Sequence, residues 1–190
     1  SNESIFCSCH GSSFDARGGG GVIGGRVNAR LAALPLKADG GRLVVANWDA
    51  DDVAEIFALR AMLEGHAAAR AARRMPAETL AELRACNERI EAAVAATPPD
   101  VAQFLAENRR FHDLIIEAAG SARLSTMLAA LVEQPIVRRT ATRYDRADLE
   151  RSAHEHGQLV QAFAAQDADW ARATMTAHIR RALHAFRAAA

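Results

Sequence analysis

Residues 101–120 read VAQFLAENRRFHDLIIEAAG, and this stretch decides the fold. Its apolar residues Val101, Phe104, Leu105, Phe111, Ile115 and Ile116 recur at steps of three and four, the period of a helix with one buried face. Gly120 follows where helices commonly end in a left-handed residue. Two polar residues, Asn108 and His112, fall on the same stripe one turn apart. A helix that aims an amide and an imidazole into a core must find partners for them there.

Working outward, the same periodicity predicts five more helical segments. One runs from about Asp51 to Arg74, with Val53, Ile56, Phe57, Leu63 and Ala67 inward and Asp49 or Asp51 as N-cap. A second spans about Ala77 to Ala96, has Leu80, Leu83, Ile90 and Val94 inward, and ends at Pro98-Pro99. A fourth starts after Ser121 and reaches roughly Tyr144; the last two span about Asp148–Ala165 and Asp167–Ala188. Short connections make neighbours antiparallel. The expected fold is an all-α antiparallel bundle of six to seven helices over residues 48–190.

Composition changes near Asn47. Most glycines lie before it, in the run Gly18–Gly21 and the pairs Gly24-Gly25 and Gly40-Gly41, while Leu43-Val44-Val45 suits a strand. Residues 1–47 are therefore read as a separate glycine-rich segment with short stretches suited to β structure. Over the whole chain of 190 residues half are apolar, and acidic and basic residues cancel to a formal net charge of zero. That balance gives no general pull toward nucleic acid or an acidic membrane. No apolar run is long enough to span a bilayer. Three cysteines, Cys7, Cys9 and Cys86, form no disulfide pattern, which suits a reducing, cytoplasmic setting. Cys86 reads as a small core residue.

Polar residues on apolar stripes carry the chemistry. Beside Asn108 and His112, the fifth segment puts His156 in line with Leu149, Leu159, Val160 and Phe163. The sixth puts His178 in line with Met175, Ala182 and Phe186. Either three separate core histidines each bond to backbone or water, or the set shares one metal ion held between helices. Arg60 falls inward on the first segment with Glu64 one turn on. It reads either as half of an ion pair or as a clamp for a carboxylate, whose geometry its fork matches. His154 points to a different face from His156, and His66 and His184 fit no motif. The arginines at 138, 139, 143, 146 and 151 are read as a solvated face paired with Glu133, Asp145 and Glu150.

Taken together, Asp52-Val-Ala-Glu-Ile-Phe-Ala-Leu-Arg60-Ala-Met-Leu-Glu64, Asn108-Arg-Arg-Phe111-His112, Glu155-His156 and Met175-Thr-Ala-His178-Ile179 resemble the C-terminal effector-binding (FCD) domain of FadR-type GntR transcriptional regulators. The resemblance runs from about Trp48 to Phe186. It implies a dimerising helical bundle without enzymatic activity. It also implies a divalent metal (Zn, Ni, Mn or Fe) on Asn108, His112, His156 and His178, with a small carboxylate effector completing the coordination and Arg60 in its pocket. Where the family has an aspartate this chain has Asn108, so no protein anion would touch the ion directly. Regulators of this kind reach DNA through a winged helix-turn-helix ahead of the domain. Residues 1–47 are too few and too glycine-rich for one, so specific operator binding is not expected of this chain.

Residues 7–15, CSCHGSSFD, resemble instead the second cluster-binding box of a Rieske protein, and residues 34–44 the strands after it. By that pattern Cys7 and His10 would be ligands, Cys9 a disulfide partner and Ser12 a hydrogen-bond donor to the cluster. The first box is absent and two ligands cannot hold the cluster, so no iron–sulfur cluster is expected. A Rieske-type electron-transfer protein or fragment is the alternative function. A metalloenzyme on the three histidines is a third, without a general acid or base to support it.

Overall fold

The computed structural model describes residues 50–131 and 144–188, together with strand residues 4–7, 12–15, 22–24, 36–39 and 42–45. The chain divides into two compact units, Ser1–Trp48 and Asp49–Ala190. In the first, β1 (Ser4–Cys7), β2 (Ser12–Asp15) and β3 (Val22–Gly24) form an antiparallel sheet in that order, with Cys7 opposite Ser12. A register shift between Ser13 and Phe14 interrupts the β2–β3 ladder. β4 (Leu36–Asp39) pairs with β5 (Arg42–Val45), and only Gly40 and Gly41 separate them, as a tight hairpin requires. The Leu43-Val44-Val45 stretch thus lies in a strand. Cys9 and His10 lie outside the described residues.

The second unit is all helix among the described residues: α1 (Ala50–Ala72), α2 (Ala77–Ala95), α3 (Val101–Ala118), α4 (Ala122–Leu131), α5 (Arg146–Ala164) and α6 (Ala168–Ala188). Aspartates set three of the starts. Asp100 accepts from Gln103 N at 2.9 Å, Asp145 from Asp148 N at 2.8 Å and Asp167 from Trp170 N at 2.9 Å. α5 consequently starts before Asp148, the residue from which its apolar period is legible. Asp51 is not a cap: α1 begins at Ala50, which puts Asp51 and Asp52 in its first turn, where negative charge suits the helix dipole. Asp49 lies outside the described residues, as does the continuation of α4 from 132 toward Tyr144. Gly120 has φ +60° directly after the α3 cap, as its place in the sequence required.

Packing follows the stripes. α1 lies along α6, α2 along α3 and α5, and α5 also along α6. Phe57, Phe104, Phe111, Phe163, Leu83 and Ile90 are among the fully buried side chains. Leu63 and Leu80, read as inward, are half-buried because they sit at the edges of their stripes. The tightest approach is between α1 and α6. A Cβ on Gly65 would stand 2.5 Å from Thr176 Oγ1 and 3.4 Å from the Arg172 carbonyl oxygen. The Thr176 hydroxyl is itself held by donating to Ala61 O at 3.4 Å. Cys86 is buried between α2 and α3, where its thiol donates to Glu107 O at 3.1 Å and lies 3.2 Å from Glu107 Oε2. Burial, then Glu107, pushes that thiol up to about 12.

Two outcomes follow from this packing. Gly65→Ala must move Thr176 or part the two helices, and should lower stability by about 1–3 kcal/mol in denaturant unfolding. Cys86, kept as a thiol, should resist iodoacetamide at pH 8 in the folded protein and react on unfolding, read by peptide mass spectrometry.

Candidate metal and effector site

Three helices each deliver one imidazole to the same interior point: His112 from α3, His156 from α5 and His178 from α6. One ring nitrogen of each lies within 4.8 Å of the others. Ring centroids are 5.5 Å apart for His112–His156, 5.3 Å for His112–His178 and 4.8 Å for His156–His178. All three are buried. Asn108, one turn before His112, is half-buried and lines the cleft that also touches Arg60, His112 and His178. The residues singled out in the sequence therefore surround one cleft, apart from His156, which lies deeper.

Two of the histidines are oriented by carboxylates. His112 Nδ1 lies 2.7 Å from Glu64 Oε2, and His178 Nδ1 lies 2.8 Å from Glu155 Oε2. An ionised carboxylate only accepts, so in each neutral ring the proton sits on Nδ1 and Nε2 keeps a free lone pair. Glu64 also accepts from Arg60 Nε at 2.9 Å, and so bridges Arg60 to His112. Burial alone would raise the Glu64 carboxyl, but Arg60 and His112 outweigh it and bring it down to about 2. Glu155 is likewise held below its ordinary value: burial opposes, and His178 and Arg181, both bonded to it, prevail. Arg60 is at once an ion-pair partner and a wall of the cleft, with its guanidinium 5.2 Å from the Phe57 ring centre.

His156 differs. It has no exposure, and neither Nδ1 nor Nε2 has a hydrogen-bond partner among the described residues. Its ring stacks on Phe111, with centroids 4.3 Å apart and planes at 22°. Burial, reinforced by His178 and His112, holds it well below the ordinary histidine range. Burial also lowers His178, against the opposing pull of Glu155. Protonating neighbours some 5 Å apart would cost about 3 kcal/mol per pair at an effective dielectric of 20. Burial and neighbouring imidazoles thus favour the neutral form of His156 and His178, the form a metal ion needs.

Sequence reading missed part of this site. Glu64 was legible as a partner for Arg60, but its bond to His112 spans 48 residues and no linear pattern encodes it. Glu155 escaped because it is adjacent to His156 and so points about 100° away round the helix. Glu155 and His156 are nonetheless both buried, because α5 is packed against both α2 and α6. Tyr144 and Ser152, which also line the cleft, carried no signal. His154 is exposed beside Gln158, and His66 and His184 are exposed. Of the arginine stretch, 138, 139 and 143 lie outside the described residues. Arg151 pairs with Asp148 at 3.0 Å. Arg146 donates to the carbonyls of Val94 and Ala96 at 3.1 and 2.8 Å, so it closes the end of α2 besides standing 3.8 Å from Glu150.

Comparison with known proteins agrees with this architecture. The FCD domain family model matches residues 55–181. The solved structure of E. coli McbR/YncC superposes with a TM-score of 0.69 at 20% identity, over 80% of this chain and 77% of that one, and so shares its fold. No curated protein sequence matches the chain. The residues matched by the family model lie wholly in the helical unit, and nothing among the comparisons supports the iron–sulfur alternative.

Because Glu64 is the shared anion of Arg60 and His112, Glu64→Gln leaves a buried guanidinium without a counter-charge. Urea unfolding should show a loss of about 3–5 kcal/mol, well beyond that of a surface Glu→Gln control.

Proposed function

This chain belongs to the FCD domain family, and from that premise we propose that its helical unit is the ligand-sensing domain of a transcriptional regulator, holding a divalent metal on Asn108, His112, His156 and His178 and a small organic acid beside it. The observation that carries the reading is His156: a fully buried imidazole with no partner for either nitrogen, facing two others whose Nε2 lone pairs are free. An unmade hydrogen bond in the interior costs about 1–3 kcal/mol. Coordination would satisfy one of the two nitrogens, the other keeping its proton, and Phe111 covers the ring face.

The donor set suits this role. Three imidazole nitrogens and an amide oxygen fit Zn, Ni, Mn or Fe. Glu64 and Glu155 fix the tautomer and direction of two of the rings, as supporting carboxylates do around protein-bound metals. A bound metal would supply a positive centre at the floor of the cleft. Arg60, at its wall, offers charge-assisted hydrogen bonds to an incoming carboxylate while Nε stays on Glu64. The donors sit on α3, α5 and α6 and Arg60 on α1, so occupancy bears on four helices at once. Such a domain acts by shifting the geometry of a homodimer, and through it a DNA-reading element, in the cytoplasm.

Elemental analysis and thermal denaturation test this. Protein stripped with a chelator should melt several degrees higher when Zn or Ni is restored, because ligand binding adds stability by mass action. His156→Leu should abolish that increment while leaving the stripped protein at least as stable as wild type, since the substitution removes unpartnered polar atoms. Asn108→Asp should tighten metal binding by about tenfold or more, measured by competition with a chelator. Equal metal response in wild type and His156→Leu would refute the ligand set.

A further inference from the structure

The cleft is electrically balanced before any ion enters it. Among the described residues, its charged groups pair off: Arg60 with Glu64 at 2.9 Å, Arg151 with Asp148 at 3.0 Å, and Arg181 with Glu155. Glu64 and Glu155 are also bonded to His112 and His178, so neither carboxylate is left over for a cation. Of the ligands assigned above, three are neutral imidazoles and Asn108 is a neutral amide. A divalent ion there would carry two positive charges with no protein anion beside it. Burying net charge is costly unless a counter-charge comes with it.

We infer that the site selects small doubly charged oxyacids over singly charged ones, because the bound ligand is the sole source of the two negative charges its floor lacks. This rests on the metal-binding reading above. The shape of the cleft agrees. A second hollow adjoins the first and shares Tyr144, Ser152, His178 and Ala182 with it. Arg60 lines the first hollow, and Arg151 and Arg181 line the second. The Ser152 and Tyr144 hydroxyls between them offer neutral hydrogen bonds. Burial pushes the Tyr144 phenol above its ordinary range, which keeps it a donor. A dicarboxylate and a phosphate monoester share the required chemistry, two negative charges on oxygens that a guanidinium can fork.

Isothermal titration of zinc-loaded protein, with metal content measured in the same sample, tests the inference. The probes are malonate, its monomethyl ester and inorganic phosphate at pH 7.5. The ester keeps the carbon skeleton and removes one charge. Malonate or phosphate should bind wild type at least about tenfold more tightly than the ester, and Asn108→Asp, which restores one anion, should shrink that ratio by about tenfold. Preference for malonate alone assigns a dicarboxylate, and preference for phosphate alone a phosphate monoester; either supports charge selection. Equal binding of malonate, phosphate and ester by protein that retains zinc overturns it and leaves the metal site standing. Protein that retains no zinc overturns both.

Discussion

A neutral imidazole buried without a hydrogen bond is a constraint that the surrounding structure must answer, and His156 sets it here. The ring is closed in by Phe111 on one face and by two more histidines. Those two are tied by carboxylates to fixed tautomers, so their remaining nitrogens can only accept. His156 brings one N–H and one lone pair, and neither is bonded to the accepting nitrogens that face it. A cation held by one lone pair from each ring is the arrangement proposed above. Burial and mutual repulsion lower the proton affinity of His156 and His178, which keeps their lone pairs available to such a cation.

The carboxylates tie this local chemistry to the fold. Glu64 links α1 to α3 through His112, and Glu155 links α5 to α6 through His178. The same two residues hold Arg60 and Arg181. Close packing at Gly65 keeps α1 against α6, so a shift of either helix is felt at Arg60 and at His178 together. A ligand in the cleft can act on the domain only to the extent that it interacts differently with two arrangements of these helices. The site is built where such a difference would be read, at the junction of four helices rather than on one.

Much of this was legible in the sequence, for a physical reason. A helix repeats every 3.6 residues, so any polar residue on an apolar stripe betrays itself. Asn108, His112, His156, His178 and Arg60 were all visible in that way, and Gly120 marked the end of α3. Pairings between helices have no such repeat. Glu64 lay in plain view as the partner of Arg60, yet its bond to His112 depends on how α1 lies against α3. Glu155 broke the stripe rule because α5 is packed on two sides and buries more than one face. The start of α5 was read two residues late, because its cap Asp145 precedes the first apolar position. The residues N-terminal to the bundle show the reverse. One glycine pair there, Gly40-Gly41, separates two paired strands, while the likeness of Cys7-Ser8-Cys9-His10 to a cluster-binding box gained no support.

The most direct measurement is a nitrogen-15 multiple-bond spectrum of the histidine rings, recorded before and after one equivalent of zinc. The account predicts that His112 and His178 keep their protons on Nδ1 throughout, and that one nitrogen each of His112, His156 and His178 moves to the metal-bound position. Unchanged ring nitrogens at all three residues after zinc would contradict it.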